Sequence, residues 1–263
     1  MANSAPDALI DSHCHLDLPA FSGDFEAVLS RAHDAKVSRF HIPGTTAERW
    51  EPLMRLAARD DIDVSLGLHP YFLSITTLDE LNQSLRHLEL MLQRRPRGVV
   101  AVGECGLDTV IDVDEQLQND IFAAHVTLAK EYGFPLVIHA RKAHHLIQQQ
   151  LAAQSFEHGG VIHAFNGSFE VAKQYVDRNF MLGVGGTITY PRANKTRRAI
   201  QAIGLKHIVL ETDSPDMPMM GFQGQRNMPE RLPIVAQVLS ELLNVDAVEV
   251  AAVTSANYLR MFH

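Results

Sequence analysis

Cysteine is almost missing from this chain. Cys14 and Cys105 are the only two, and they lie in unrelated segments. No disulfide framework follows, and a reducing, cytoplasmic setting is the expectation. Long apolar runs are missing as well. The opening MANSAPDALIDSH has neither a basic start nor a signal-peptide core, and nothing reads as a membrane helix. No membrane association and no obligate protein partner are therefore expected. Positive charge is scarce, with 23 Lys and Arg against 31 Asp and Glu and a net charge of −8. That excludes a general nucleic-acid coat protein, whose affinity rests on many cationic contacts to phosphate. It leaves room for an enzyme that grips one strand end through a metal site and a few local cations. Linkers, low-complexity stretches and blocks of like charge are absent too, so residues 1–263 read as one domain. What the chain does have is apolar residues, at 46% enough for a large core.

These apolar residues fall into a recurring pattern of short strand and amphipathic helix. Eight strands are expected: 8–17, 38–45, 64–70, 99–108, 135–141, 160–165, 180–190 and 207–215. Between and after them, stretches such as FEAVLSRAHDA, LDELNQSLRHLELMLQRR, DEQLQNDIFAAHVTLAKEYG, FEVAKQYVDR, PERLPIVAQVLSELLN and VEVAAVTSANYLRMF carry apolar residues at helical spacing. Apolar strands alternating with helices imply a parallel sheet with helices outside. Eight such units in about 250 residues match a (β/α)8 TIM barrel. An open doubly wound sheet is the alternative. It calls for a Gly-rich phosphate loop after the first strand, and DSHCHLD is not one.

The polar residues of most expected strands collect at their C-terminal ends, the barrel face where active sites are built. His13 and His15, one residue apart on an extended chain, face the same side and can meet one ion. Glu104, His139, His163 and Asp213 lie near the ends of other strands, so the barrel would bring them to the same mouth. Imidazoles with carboxylates suit borderline divalent ions, and a carboxylate can bridge two of them. Six ligands are too many for one tetrahedral ion that keeps an open position. Two ions sharing a carboxylate fit better. His33, His87, His125, His145, His158 and His207 are read instead as ordinary core or surface residues. Cys14 and Cys105 are read as small packed apolar side chains.

The motifs DSHCHLD, GLHP, GECGLD, IHAR, HAF-x-GS, GVGGTITY and ETDSPDMP, followed by GFQGQRNMPE, run in this order from residue 11 to residue 230. In them the chain resembles the TatD family of metal-dependent deoxyribonucleases, within the amidohydrolase-like barrels. GVGGTITYPRANKTR and DMPMMGFQGQRNMPE look closest to the YjjV-like branch. The resemblance implies that His13, His15 and Asp213 bind one metal and that His139 and His163 bind a second, with Glu104 bridging. Zn2+, Mn2+ and Mg2+ are the candidate ions. The resemblance has two departures: Cys105 stands where the branch often has Ile, and HAFNGS replaces an HCFSG-like segment. Neither removes a ligand.

His69 is placed near substrate by the same resemblance, where it would hydrogen-bond or protonate a leaving oxygen; capping the turn before Pro70 is the other role open to it. Asp108 and Arg141 read as supporting or substrate groups. An Arg fork suits phosphate, and a neighbouring carboxylate would suit Arg141 equally. The segment PRANKTRR supplies Arg192 and Lys195 after the seventh strand, where barrels frequently hold phosphate; a solvated helix start is the competing account. The expected activity is a metal-dependent hydrolase of phosphodiester bonds, a 3′–5′ deoxyribonuclease acting on single-stranded DNA ends. Asp213, Glu104 and His69 would carry the chemistry. Two alternatives stay open: an amidohydrolase-like barrel cleaving an amide or an ester such as an aminoacyl ester, and a metal-dependent binding protein without catalysis.

Overall fold

The computed structural model describes residues 8–263. Its eight strands are β1 (Leu9–Asp11), β2 (Val37–Pro43), β3 (Ile62–Leu66), β4 (Val99–Asp108), β5 (Leu136–Arg141), β6 (Gly160–Ile162), β7 (Phe180–Val184) and β8 (Ile208–Leu210). They follow one another through one sheet in sequence order. The helices are α1 (Phe25–Asp34), α2 (Trp50–Leu56), α3 (Leu78–Arg94), α4 (Glu115–Tyr132), α5 (His144–Ala153), α6 (Phe169–Val176), α7 (Asn194–Ile203), α8 (Leu232–Leu243) and α9 (Ala247–Phe262). Parallel strands in sequential order, each followed by helix, make this a (β/α)8 barrel. No helix among the described residues is long and apolar enough to cross a membrane.

Local sequence explains where the helices begin. Thr77 and Glu80 form a reciprocal capping box at the start of α3, whose stripe Leu81, Leu88 and Leu92 is buried. Asp114, Ser168 and Asp246 cap α4, α6 and α9 through their side chains. Gly133 closes α4 in the left-handed conformation.

The contacts group the chain into two compact units, one built from the segment ending at Ile42 with His163–Met261, the other from Pro43–Ile162. In the first, β7 pairs in parallel with β8, Leu182 opposite Ile208 and Val184 opposite Leu210. The Ser12 N–H donates to the Leu210 carbonyl at 2.8 Å, joining the end of β1 to β8. Tyr258 of α9 is fully buried, its hydroxyl 3.2 Å from His41 Nδ1. In the second unit, β4 pairs with β3 on one side and β5 on the other. Gly106 has φ +142°, and a Cβ there would lie 2.0 Å from the His139 carbonyl oxygen. Only glycine lets β4 and β5 approach this closely beside His139.

Several strands are shorter than the sequence pattern suggests. β1, β6 and β8 have three residues each, and β7 gives way to a 3-10 turn at Gly186–Thr189. His13 and His15 therefore lie beyond β1, not on it.

Candidate metal centre

In the first unit, the chain bends at Ser12 and His13 where the β1 ladder stops. Cys14 N–H donates to the His41 carbonyl at 3.0 Å and His15 N–H to the Ser214 carbonyl at 2.7 Å. Pairing with two different neighbours holds the segment, and both imidazoles meet. His13 Nε2 and His15 Nε2 are 3.3 Å apart, and they lie 3.7 and 3.6 Å from Asp213 Oδ1. Bonds of about 2.0–2.2 Å to a tetrahedral ion would place its ligands about 3.3–3.6 Å apart. Two imidazole nitrogens and a carboxylate oxygen at this spacing fit a divalent ion.

Buried Asp11 ties the two sides of this group together. Its carboxylate accepts from Thr212 N–H at 2.9 Å, Thr212 Oγ1–H at 2.6 Å and His13 N–H at 3.3 Å. Burial pushes its pKa up to about 8, although the hydrogen bonds from Thr212 and His13 pull the other way. Asp213 adopts φ +56°, a conformation Asp tolerates better than most residues, and its N–H donates to the His13 carbonyl at 2.9 Å.

His163 stacks on His13 with ring centroids 3.8 Å apart. Its Nδ1 is 3.3 Å from Glu211 Oε1, an oxygen that also accepts from Ala164 N–H at 2.7 Å. Glu211 is buried, and a Cβ at Gly183 would come within 2.2 Å of its Oε2. Sequence reasoning missed Glu211. The signal was present: it stands two residues before Asp213, as His13 stands two before His15.

The second unit holds its own donor group. Glu104 Oε1 lies 3.3 Å from His69 Nε2 and 3.3 Å from His139 Nδ1. Glu104 sits inside β4, which runs on to Asp108, and not at its end. A Cβ at Gly67 would lie 2.5 Å from the Glu104 carbonyl, so glycine is needed beside it. Asp108 Oδ2 is 3.3 Å from His139 Nε2 and 3.6 Å from Arg141 Nη1. Burial alone would raise the Asp108 pKa, but hydrogen bonds from His139 and the Val110 amide, with the charges of His139 and Arg141, hold it below its ordinary value. Arg141 thus has the carboxylate partner that sequence left as one of its two roles.

Hydrogen bonding fixes what these two imidazoles offer. In a neutral His139 ring, Nε2–H donates to Asp108 and the Nδ1 lone pair faces the Glu104 oxygen. Two acceptors at that distance are joined by a cation, either a proton on Nδ1 or a metal ion. His69 is the opposite case. Its Nδ1 accepts from Tyr71 N–H at 3.1 Å, so in the neutral ring Nε2 carries the proton and points at Glu104. His69 both caps its turn and offers a proton to Glu104 Oε1.

Arg192 precedes α7 and Lys195 lies in its first turn. Cys14 and Cys105 are fully buried. Their sulfurs lie on the carbonyls of His41 and Val137, and burial raises both thiols well above their ordinary range.

The family model described as TatD related DNase matches residues 10–263. The chain belongs to the TatD family. This TatD chain is 42% identical over 257 residues to the metal-dependent hydrolase YjjV of Escherichia coli, covering 97% of each. It is 32% identical to YabD of Bacillus subtilis, another metal-dependent hydrolase, over 97% of this chain and 98% of that one. Among solved structures, the E. coli YjjV crystal structure superimposes with a TM-score of 0.92 at 41% identity, covering 98% and 99% of the two chains. A TatD-family hydrolase from Entamoeba histolytica shares the fold at 19% identity and a TM-score of 0.84. The chain is a metal-dependent hydrolase of the TatD family.

Proposed function

We propose that this hydrolase cleaves phosphodiester bonds in DNA, removing nucleotides from the 3′ end of single strands. The observation that carries the reading is the set of facing acceptors, His13, His15 and Asp213 in one unit and His139 with Glu104 in the other, which are built for divalent cations. The family description supports DNA as the substrate. In this reading His13, His15 and Asp213 would hold one ion, and His139 and His163 would hold a second, with Glu104 shared between them. Zn2+ and Mn2+ suit these donors, and Mg2+ would be held more weakly. Such ions make bound water acidic near neutral pH and polarise the P–O bond under attack.

The chain's own groups do the rest. Asp213 orients the attacking water and accepts its proton. His69, whose Nε2–H points at Glu104, donates to the leaving oxygen. Asp108 would keep His139 in the tautomer whose Nδ1 is a ligand, and Glu211 lies beside His163 and His13 as a further acidic donor. Arg141, with its side chain 59% exposed, keeps further N–H groups for phosphate, and Arg192 and Lys195 bind phosphate from the loop after β7.

Cleavage of an amide or ester is the second reading. Several barrels with that chemistry bridge their ions with a modified lysine on the fourth strand. Here β4 reads VVAVGECGLD and has none. A labelled single-stranded oligonucleotide incubated with each divalent ion should give a ladder shortened from the 3′ end. Asp213→Asn and Glu104→Ala should lower the rate on the order of 100-fold or more. Equal activity in all three proteins would overturn the assignment.

A further inference from the structure

An open cavity of the first unit lies after β7, with a volume of about 440 Å3. Its walls include Tyr190, Arg192, Lys195, Asn166, Met217 and Pro218. Thr187 and Met217 also line a smaller cavity whose wall includes Glu211, Thr212 and Asp213. The cationic cavity therefore adjoins the Asp213 donor group within one unit.

Its cations are arranged in advance. The Tyr190 hydroxyl donates to the Pro218 carbonyl at 2.8 Å, fixing the ring, and the Arg192 guanidinium lies over that ring at 5.0 Å. Arg197 points back into the scaffold, donating to the Ile188 carbonyl. Lys195 sits in the first turn of α7, which has no acidic residue there. A cation at the positive end of a helix works against the helix dipole, so helix stability does not account for it. The acidic side chain that feels Lys195 is Glu170, whose pKa is lowered first by Ser168 and only lastly by Lys195.

Size and lining decide what such a cavity takes. Its volume falls in the range of small-molecule sites, about 300–1,000 Å3, and is far more than one phosphate needs. Part of the wall is apolar, from Met217, Pro218 and the Tyr190 ring, surface that a bare anion would leave unused. Polar groups that can meet base heteroatoms stand opposite. Thr196 Oγ1 donates to Asn166 Oδ1 at 2.8 Å, which orients that amide.

We infer that this cavity is a nucleotide subsite, holding the phosphate of one nucleotide of the strand on Arg192 and Lys195 and its base against Tyr190, Met217 and Pro218. The inference rests on the phosphodiester reading for its substrate, but its test is binding, not turnover. Titration of the full-length protein with deoxyadenosine 5′-monophosphate and with inorganic phosphate, followed by calorimetry, separates the two ligands. The nucleotide should bind at least about tenfold more tightly than phosphate, and chelator should leave its affinity intact. Arg192→Ala with Lys195→Ala, and separately the cavity-filling Ala193→Trp, should each weaken it by about tenfold or more. Affinity unchanged in these variants, equal affinity for phosphate, or binding abolished by chelator would each overturn the subsite. Nucleotide binding lost in the variants by a protein that hydrolyses no DNA would keep the subsite and overturn the phosphodiester reading.

Discussion

His125 is a buried imidazole that spends both of its nitrogens on backbone. Nε2 accepts from Leu68 N–H at 3.0 Å, and Nδ1 donates to the Ile121 carbonyl at 2.7 Å. Burial lowers its pKa from 6.5 to about 4, against the bond to Ile121 that pulls it up. The folded state therefore binds the proton less readily than the unfolded chain. The stability this contributes is fully present above pH 6.5 and is lost as pH falls towards 4, about 3 kcal/mol in all. Urea midpoints measured across that interval should fall with pH, and His125→Leu should flatten the slope. The same variant should cost about 1–3 kcal/mol at pH 7 by leaving the Leu68 N–H without its acceptor. An undiminished slope in His125→Leu would assign the pH dependence elsewhere. Reading His125 as a core residue was possible from sequence because it lies on the apolar face of an amphipathic stretch. Glu211 was not legible, because in ETDSP it stands beside another carboxylate and its role depends on a contact with His163. Its partner His163 is 48 positions earlier in the sequence, and no local pattern joins the two.

Among the elements, the strands were legible in number and order but not in length. Past β1 and β8 the chain bends at Ser12 and His13 and turns left-handed at Asp213, and its hydrogen bonds go to different neighbours, so no ladder forms. Period-two alternation records neither such bends nor the backbone's partners. Three helices, α2, α5 and α7, were not singled out. α5 reads HHLIQQQLAA and buries only Ile147 and Leu151, too thin a stripe to stand out. The loop GFQGQRNMPE, by contrast, is held by a side chain that only the structure reveals. Arg226 makes a two-pronged pair with Asp24, at 2.9 and 2.6 Å, and lies over the Phe21 ring at 4.8 Å. The Arg226 hydrogen bonds hold the Asp24 carboxyl below its ordinary pKa. Arg226→Ala should release this loop from the start of α1 and make it the first site of limited proteolysis. An unchanged cleavage pattern would show that the Arg31–Glu230 pair, at 2.6 Å, suffices.

For the whole molecule, cations that bind the folded chain and not the unfolded one must stabilise it. At 100 times the dissociation constant the gain is about 2.7 kcal/mol, worth roughly 5–10 °C in melting temperature for a chain of this size. Melting should rise with added Zn2+ or Mn2+ and fall again with chelator, and His13→Ala should shrink the shift. A shift of the same size in His13→Ala would place the ions elsewhere. The barrel itself was legible, since eight apolar strands alternating with helices leave few other architectures. The sequence also pointed to chelating residues, and the structure gathers His13, His15 and Asp213 in one donor group and His69, Glu104 and His139 in another. Their division between two donor groups, and the tautomers that separate His139 from His69, depend on hydrogen bonds that no spacing records.

The clasp between Asp11 and Thr212 spans 201 positions. A ribosome adding about 5–20 residues per second needs roughly 10–40 s to travel between them. For that interval His13 and His15 are already made while Asp213, their companion carboxylate, does not yet exist. A nascent chain can thus hold two imidazoles ready, but the three-donor group exists only once Asp213 has been added.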